Sequence, residues 1–311
     1  MTRAGPGLLL RDILSGQDAA VEAVVTVLGR LDADVILLTG IDYDMQGRAA
    51  GALAARAGYA HVRALRGNTG VATGLDLDGN GQLGEARDAQ GFGRFAGQAG
   101  MAVLSRHPLP DGARDFSGLL WVDLPGALLP DDMTAAVRAV QRLSTSGHWE
   151  VPVQAPGGLL RLLCWYATPP VFDGPEDRNG RRNHDEAAFW LRLLAGDLEW
   201  PPPEGAFILL GQSNLDPVDG EGRPGAMAAL LAHPGLQDPA PRGSHGRNEA
   251  GDPALDTALY EFGGLRVEVV LPSAGLRVGA SGVLWPPDVD PFAAVLAAAS
   301  RHRPVWVDVV R

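Results

Sequence analysis

Apolar residues recur along the chain at spacings that predict its helices and strands. Residues 19–31 carry valine and leucine at intervals of three and four, which predicts an amphipathic helix. Residues 34–39 form a short β-branched and leucine-rich run, which predicts a buried strand. The same reasoning predicts helices over 45–58, 183–194, 224–232 and 292–300, strands over 101–105, 119–124, 150–153, 159–168, 207–210, 266–271, 276–281 and 305–310, and a short helix or strand over 134–144.

Helices and strands therefore mix along the whole chain, and no internal repeat interrupts them. This order predicts an α/β (α+β) fold in a single domain over residues 1–311, with enough strands for two stacked sheets. Residues 68–100 are rich in glycine and aspartate, so we expect a long ordered loop inserted into that domain. Gly157 and Gly158 predict a turn that joins two strands as a hairpin.

Residues 206–217 are the stretch in which a strand and candidate chemistry coincide. Five apolar residues end at Gly211, and the polar residues Gln212, Ser213 and Asn214 follow at once. A short apolar run bounded by turn residues is typical of a buried strand, and its polar tip would lie at the edge of a sheet. Functional residues are often found on such loops.

Composition and charge exclude several classes of partner. The net charge is -11 and all 26 basic residues are arginine, so a broad basic face for general nucleic-acid binding is not expected, although a local arginine pocket could hold one phosphate. The single cysteine, Cys164, excludes an internal disulfide and suits a buried core position. No apolar run reaches transmembrane or signal-peptide length, so membrane contact is not expected. Nothing in the sequence directs the chain to a compartment, which leaves the cytoplasm as the default location, and we expect a monomer.

Four segments together resemble the endonuclease/exonuclease/phosphatase superfamily, which has the deoxyribonuclease-I-like fold. The segments are residues 33–38, residues 100–109, residues 206–217, and residues 266–272 followed by 300–306. The run Thr-Pro-Pro-Val-Phe-Asp-Gly at residues 168–174 and the Gly/Asp-rich insertion are similar to a bacterial branch. The resemblance implies a four-layered sandwich of two packed mixed sheets flanked by helices. It also implies a phosphatase- or nuclease-like phosphoester hydrolase that uses Mg²⁺ or Mn²⁺.

The family's catalytic set is only partly retained. By the resemblance, Asn214 and His302 keep their places, whereas Gln212 stands at a catalytic aspartate and Tyr166 at a phosphate-contacting histidine. Gly40 stands at the metal-binding carboxylate. The nearby Asp42 and Asp44 could partly replace it, or could instead be turn or cap residues, which is the simpler interpretation. Arg301 replaces the aspartate that would orient His302. By the same resemblance, Glu268 replaces an aspartate on another strand and keeps its charge. The family's opening strand has no counterpart before Gly5, and a fold without it would need compensation.

These exchanges predict weak or absent hydrolysis. A lost metal ligand, a lost acid and a lost histidine each remove a separate contribution to transition-state stabilisation, typically several kcal/mol. Three functions stay open at this point. The chain could be a hydrolase with a depleted site, a non-catalytic pseudoenzyme that binds a phosphorylated ligand or a protein partner, or a structural domain ordered by calcium.

Two further clusters suggest ligands. Residues 76–81 resemble the first half of a calcium loop, which predicts a structural Ca²⁺ held by Asp76, Asp78, Asn80 and Asp88, although Arg87 occupies the position of the closing glutamate. A solvated turn is the alternative. Arg178, Arg181 and Arg182 come just before a predicted helix and could bind a phosphate, or could instead belong to the scaffold. His148 could bind the same ligand from the rim of the cleft.

Overall fold

The computed structural model describes residues 1–244 and 250–310. The helices in this part of the chain are α1 (Leu8–Ser15), α2 (Ala19–Leu31), α3 (Arg48–Ala57), α4 (Ala135–Arg138), α5 (Arg178–Ala195), α6 (Gly225–Leu231) and α7 (Phe292–Ala299). The strands are β1 (Val35–Ile41), β2 (His61–Arg63), β3 (Gly100–Ser105), β4 (Arg114–Asp115), β5 (Gly147–Ala155), β6 (Gly158–Tyr166), β7 (Phe207–Gln212), β8 (Ala258–Leu259), β9 (Gly264–Leu265), β10 (Glu268–Pro272), β11 (Arg277–Val283) and β12 (Val305–Val310).

Local sequence explains most of these bounds. Helix α2 has the predicted limits, because Asp18 caps its first turn by accepting from Val21 N at 2.9 Å. The β5–β6 hairpin across Gly157 and Gly158 is confirmed. Helix α1 was not predicted. The strand predicted over residues 119–124 is wrong, since Trp121–Asp123 form a 3₁₀ turn whose tryptophan is buried.

The strands form two principal sheets and two smaller pairs. The first sheet has the order β1-β3-β2 and is antiparallel throughout. The second has the order β10-β7-β6-β5-β4, in which only β6 and β7 run parallel. Strands β11 and β12 form a separate antiparallel pair, as do β8 and β9.

Apolar side chains connect these sheets into layers. Leu9 of α1, Leu28 of α2 and Leu53 of α3 pack on one face of the first sheet. The opposite face supplies Val103, which packs against the second sheet in a core between the two. Helices α5 and α6 cover the far face of the second sheet through residues such as Trp190. The chain is therefore an α+β sandwich, as the resemblance implied.

The insertion predicted over residues 68–100 is an ordered loop. Its backbone bonds to other loops, as Asn68 N does to Ser146 O at 2.8 Å, and its only described helical turn is the 3₁₀ turn Ala86–Asp88. Buried polar side chains such as Asn68 and Gln90 fix it to the sandwich. Among the described residues, none of the helices is long and apolar enough to span a bilayer.

Candidate functional site

Three neighbouring strands of the second sheet bring the candidate residues together. Tyr166 ends β6, Gln212 ends β7 and Glu268 begins β10, and strand register places the three directly opposite one another. Directly opposed residues project to the same face of a sheet. Thr39 Oγ1 of β1 donates to Gln212 Oε1 at 2.8 Å, so this face points towards the first sheet.

Backbone conformation at the end of β7 shapes the polar tip. Gly211 has φ 155°, and a Cβ at this position would lie 2.1 Å from Trp165 O of the adjacent strand. Only glycine permits this approach. Asn214 adopts φ 54°, a left-handed conformation that asparagine tolerates better than most residues.

Amide hydrogen bonds hold the tip in place. Gln212 is buried, and its Nε2 donates to Asn214 Oδ1 at 2.7 Å. Asn214 Nδ2 in turn donates to Ala167 O at 2.7 Å. Behind the tip, Asn183 of α5 donates to Thr168 O at 2.6 Å and to Ser213 O at 2.7 Å. The sequence had placed Gln212 and Asn214 at the site but gave no sign that they bond to each other.

His302 joins this group through Glu268. Its Nδ1 lies 2.5 Å from Glu268 Oε1, and both side chains remain partly exposed. Glu268 therefore takes the orienting position that Arg301 cannot, and sequence reasoning had not included it among the site residues. Glu268 Oε2 is buried without a hydrogen-bond partner. The His302 ring is the more exposed of the two side chains, so it is the one that a ligand can reach.

Two tyrosines flank the pair. Burial, together with the nearby Glu268, raises the pKa of Tyr166 to about 12, so its hydroxyl stays protonated and can donate. The Tyr260 ring meets His302 edge-on with centroids 6.3 Å apart, and the Arg301 guanidinium lies 5.8 Å above the same ring. Sequence reasoning had missed Tyr260, because its contact with the His302 ring arises only on folding.

Asp42 does not fill the place left by Gly40. Its Oδ2 accepts from Arg3 N at 2.7 Å and its Oδ1 accepts from Ala99 N at 3.1 Å, so backbone groups occupy both oxygens. Burial raises the pKa of Asp42, and these hydrogen bonds oppose the change. Asp42 therefore ties the insertion to the chain's first residues instead of facing Gln212.

The residues around Gln212 do not fit a divalent metal held by carboxylates. Glu268 is the carboxylate in this group, and one of its oxygens is taken by His302. The neighbouring amides of Gln212 and Asn214 bond to each other. Across residues 1–244 and 250–310, the one cluster of three or more possible metal-binding His, Cys, Asp or Glu side chains lies elsewhere. Mg²⁺ favours carboxylate and phosphate oxygens in octahedral array, which this group does not supply.

That cluster is the predicted calcium loop. Ligand atoms of Asp76, Asp78 and Asp88 lie within 4.8 Å of one another. Asp76 accepts from the backbone N–H groups of residues 79, 80 and 81, which gives the loop a tight turn. Arg87 donates to Asp78 Oδ2 at 2.8 Å, and Asn80 Nδ2 donates to Glu85 Oε2 at 2.6 Å. The cluster thus brings together three of the four predicted ligands.

The predicted phosphate-binding arginines belong to the scaffold. They lie in the first turns of α5, which begins five residues earlier than expected. Arg182 is buried and donates to the carbonyls of residues 142, 143 and 144. Arg178 donates to Leu77 O at 2.5 Å and to Gln141 Oε1 at 2.7 Å, and Arg181 donates to Glu176 O at 3.1 Å. These backbone and amide acceptors take the place of an anion.

His148 is not at a cleft rim, and its predicted position is wrong. The ring is fully buried, with Nδ1 2.6 Å from Ser144 Oγ and Nε2 2.9 Å from Glu186 O. Since a carbonyl only accepts, Nε2 donates and Nδ1 accepts. Burial lowers the pKa of His148 to about 4, so the ring is neutral near pH 7. Sequence could not reveal this, because the rings that surround His148, those of Trp165, Phe189 and Trp190, come from other parts of the chain.

Comparisons with known proteins agree with this architecture. A family model described as "Endonuclease/Exonuclease/phosphatase family" matches residues 13–302. No curated protein matches the chain. An endonuclease/exonuclease/phosphatase from Beutenbergia cavernae is a similar solved structure, with 21% identity, a TM-score of 0.54 and coverage of 94% of this chain. The chain spans 66% of that relative's length, slightly under two thirds.

Two other solved structures are similar over nearly their whole length. A 3'-5' exonuclease from Neisseria meningitidis has 17% identity and a TM-score of 0.54, with coverage of 94% of each chain. An AP endonuclease from Archaeoglobus fulgidus has 14% identity and a TM-score of 0.52, again with coverage of 94% of each chain. At these identities the likeness concerns the fold.

Proposed function

Because the chain belongs to the endonuclease/exonuclease/phosphatase family, we propose that its site binds a phosphate ester and hydrolyses it weakly or not at all. Members of this family generally depend on a divalent metal. The observation that carries the proposal is the state of Gln212, whose neutral carboxamide is fixed between Thr39 and Asn214 at the tip of β7. A carboxamide can neither take a proton from water nor bind a cation as a carboxylate does.

Binding is the step that the remaining side chains can perform. Glu268 orients His302, and a ring N–H of the imidazole held by that carboxylate can donate to a phosphate oxygen. The Tyr166 hydroxyl adds a neutral donor on the same face of the sheet. Asn214 is held in position by Ala167 O and keeps the tip rigid.

Hydrolysis would require what this group does not contain. A bound metal would neutralise the charge that develops on the leaving oxygen, and the residues present do not fit one. None of the side chains bonded to Gln212 is a charged acceptor for the proton of an attacking water. The remaining groups hold and orient an anion without activating a nucleophile.

The ligand that we propose is a small phosphate ester instead of a long nucleic acid. The net charge of -11 disfavours an extended contact with a phosphate backbone. We further propose that the chain acts as a monomer and as one domain. Size-exclusion chromatography with light scattering would test the monomer, and titration with a twenty-nucleotide single strand beside phenyl phosphate would test the ligand class.

One set of experiments separates binding from turnover. Calorimetric titration with phenyl phosphate should show saturable binding that is lost in His302→Ala. Hydrolysis of bis(p-nitrophenyl) phosphate with Mg²⁺ or Mn²⁺ should be slow, and the triple variant Gly40→Glu/Tyr166→His/Gln212→Asp should be at least about tenfold faster. If the unaltered protein already cleaves as fast as the triple variant, the claim of a depleted site is wrong. If it neither binds nor cleaves, the whole proposal fails.

A structural Ca²⁺ in the loop at residues 76–88 is a separate proposal. Supporting it are the convergence of Asp76, Asp78 and Asp88 and the negative charge that remains when Arg87 pairs with only one of these carboxylates. Arg87 would have to release Asp78 when the ion binds. Calorimetry with CaCl₂ should show binding that is absent from Asp76→Ala/Asp78→Ala, and no heat with the unaltered protein would contradict it.

A further inference from the structure

A pair of stacked aromatic rings lies beside His302. The ring centroids of Tyr260 and Phe262 are 5.3 Å apart, and the two ring planes are only 9° from parallel. Tyr260 is partly buried, whereas Phe262 is 77% exposed. Phe262 therefore presents a flat apolar surface to solvent at the end of this stack.

The two rings come from the tight turn that joins β8 to β9. Tyr260 N donates to Gly263 O at 2.8 Å, and Gly263 N donates to Tyr260 O at 3.3 Å, so a reciprocal pair of backbone bonds closes the turn. Exposed turns favour glycine and small polar residues. The phenylalanine does not serve the turn, and it is too exposed to serve the core, which suggests that its ring contacts a ligand.

Backbone pairing holds the turn against the segment that carries His302. Ala258 of β8 and His302 form an antiparallel bridge, and Leu259 N donates to Arg301 O at 3.2 Å. The Tyr260 ring lies 6.3 Å from the His302 ring, at 87° to it. The stack therefore keeps a fixed position relative to the histidine.

The charges around Tyr260 suit a ligand that carries a phosphate. Burial and the nearby Glu268 raise the pKa of Tyr260, against the opposing effect of Arg301, so the phenol stays neutral. The Arg301 guanidinium lies 5.8 Å from the centroid of the Tyr260 ring, and Arg301 is exposed. A guanidinium at this distance attracts the aromatic face and adds a positive charge beside the site.

We propose that Tyr260 and Phe262, which we name the aromatic platform, bind the planar aromatic ring of a phosphate monoester whose phosphate lies at His302. This inference rests on the proposed binding of a phosphate ester at that histidine. It deepens that proposal by assigning the organic part of the ester to a class, that of esters ending in a flat ring, as a nucleoside monophosphate does.

The geometry of the aromatic platform favours a ring over an alkyl group. Two parallel rings are already stacked, and a third ring on the open face of Phe262 continues the same arrangement. The Phe262 side chain has no polar atom, so it selects a flat ring without selecting one particular base. Stacking of this kind is tolerant of base identity.

A spacer must separate the ring from the phosphate. Tyr260 contacts both His302 and Phe262, so the Tyr260 ring lies within the distance that the ligand has to span. A sugar between the phosphate and the ring provides this length. A ring joined to the phosphate through a single oxygen, as in phenyl phosphate, is expected to stay at Tyr260.

The test compares two ligands that differ only in the aromatic ring. Adenosine monophosphate and the matching ribose phosphate share their phosphate and sugar, and calorimetric titration should show about tenfold tighter binding of adenosine monophosphate. Phe262→Leu keeps the apolar surface and removes the ring. It should reduce the affinity for adenosine monophosphate to that for ribose phosphate and leave the affinity for ribose phosphate and for phenyl phosphate unchanged.

Two matched variants complete the test. Phe262→Trp keeps an aromatic ring and should retain the preference for adenosine monophosphate. Phe92→Leu changes a phenylalanine that is 72% exposed and lies outside the aromatic platform, and it should leave both affinities unchanged.

Equal affinities of the unaltered protein for adenosine monophosphate and ribose phosphate overturn the inference. Equal losses of both ligands in Phe262→Leu also overturn it, as does a loss that affects phenyl phosphate alone. If ribose phosphate binds and His302→Ala abolishes that binding, but the base adds no affinity, the aromatic platform is wrong and the phosphate site stands. If neither ligand binds the unaltered protein, the proposed function fails together with this inference.

Discussion

Two buried side chains should change the folding stability with pH in opposite directions. His148 and Glu186 are both fully buried, and His148 Nε2 donates to the backbone oxygen of Glu186 at 2.9 Å. Arg182, one helical turn from Glu186, is the buried cation facing the pair. Acidification protonates His148 in the unfolded chain first and Glu186 in the folded chain first.

His148 destabilises the fold as the pH falls. Burial lowers its pKa from 6.5 to about 4, so below pH 6.5 the unfolded chain binds a proton that the folded chain does not. The stabilisation is complete above pH 6.5 and is lost as the pH falls towards 4. Between pH 8 and pH 5 linkage gives a loss of about 2 kcal/mol in the free energy of unfolding.

Glu186 has the opposite sign. Burial raises its pKa from 4.5 to about 7, against the opposing effects of Arg182 and the N–H groups of Thr145 and Thr168. The folded chain therefore holds a proton more tightly, and the associated stability is present at low pH and lost as the pH rises through 7. Between pH 8 and pH 5 this contributes a gain of about 2.5 kcal/mol.

These two effects nearly cancel each other, but burial also lowers the pKa of the Met1 amino group to about 6, which adds a loss of about 2 kcal/mol between pH 8 and pH 5. Urea denaturation followed by tryptophan fluorescence should therefore show a net loss of about 2 kcal/mol for the unaltered protein. Relative to the unaltered protein, Glu186→Gln should lose about 2.5 kcal/mol more over that range, and His148→Gln should lose about 2 kcal/mol less. The comparison uses the pH change within each variant, so a uniform loss of stability does not affect it. A His148→Gln profile parallel to that of the unaltered protein, or an NMR titration of His148 above pH 6, would refute the reasoning.

Two further changes test the tip and the histidine pair. Gly211→Ala places a Cβ 2.1 Å from a neighbouring carbonyl oxygen and should lower the free energy of unfolding by about 3 kcal/mol or more. The control variant is Gly275→Ala, whose added Cβ has no heavy atom within 4 Å. In urea denaturation this control should change the free energy of unfolding by less than about 1 kcal/mol. Glu268→Gln should weaken phenyl phosphate binding about tenfold at pH 6, because it removes the charge that orients His302. The control is Glu261→Gln, which changes an exposed carboxylate and should leave the affinity unchanged in the same calorimetric titration.

Much of the secondary structure was determined by local sequence. The limits of α2 follow from its apolar spacing and its aspartate cap, and both are contained within about fifteen residues. The polar tip after β7 was also predicted, because its apolar run ends abruptly at Gly211. The strand predicted over residues 119–124 failed, since its apolar residues serve a buried turn around Trp121.

The partners of the site residues were decided by tertiary structure alone. Glu268 and His302 are 34 residues apart, and Thr39 and Gln212 are 173 residues apart. No local pattern specifies such contacts, because they depend on how separate strands align across two sheets. The sequence by itself determined most of the elements and the position of the polar tip after β7. Folding alone decided that Asp42, His148 and Arg182 are scaffold, because burial and backbone hydrogen bonds, not residue type, determine whether a polar side chain can meet a ligand.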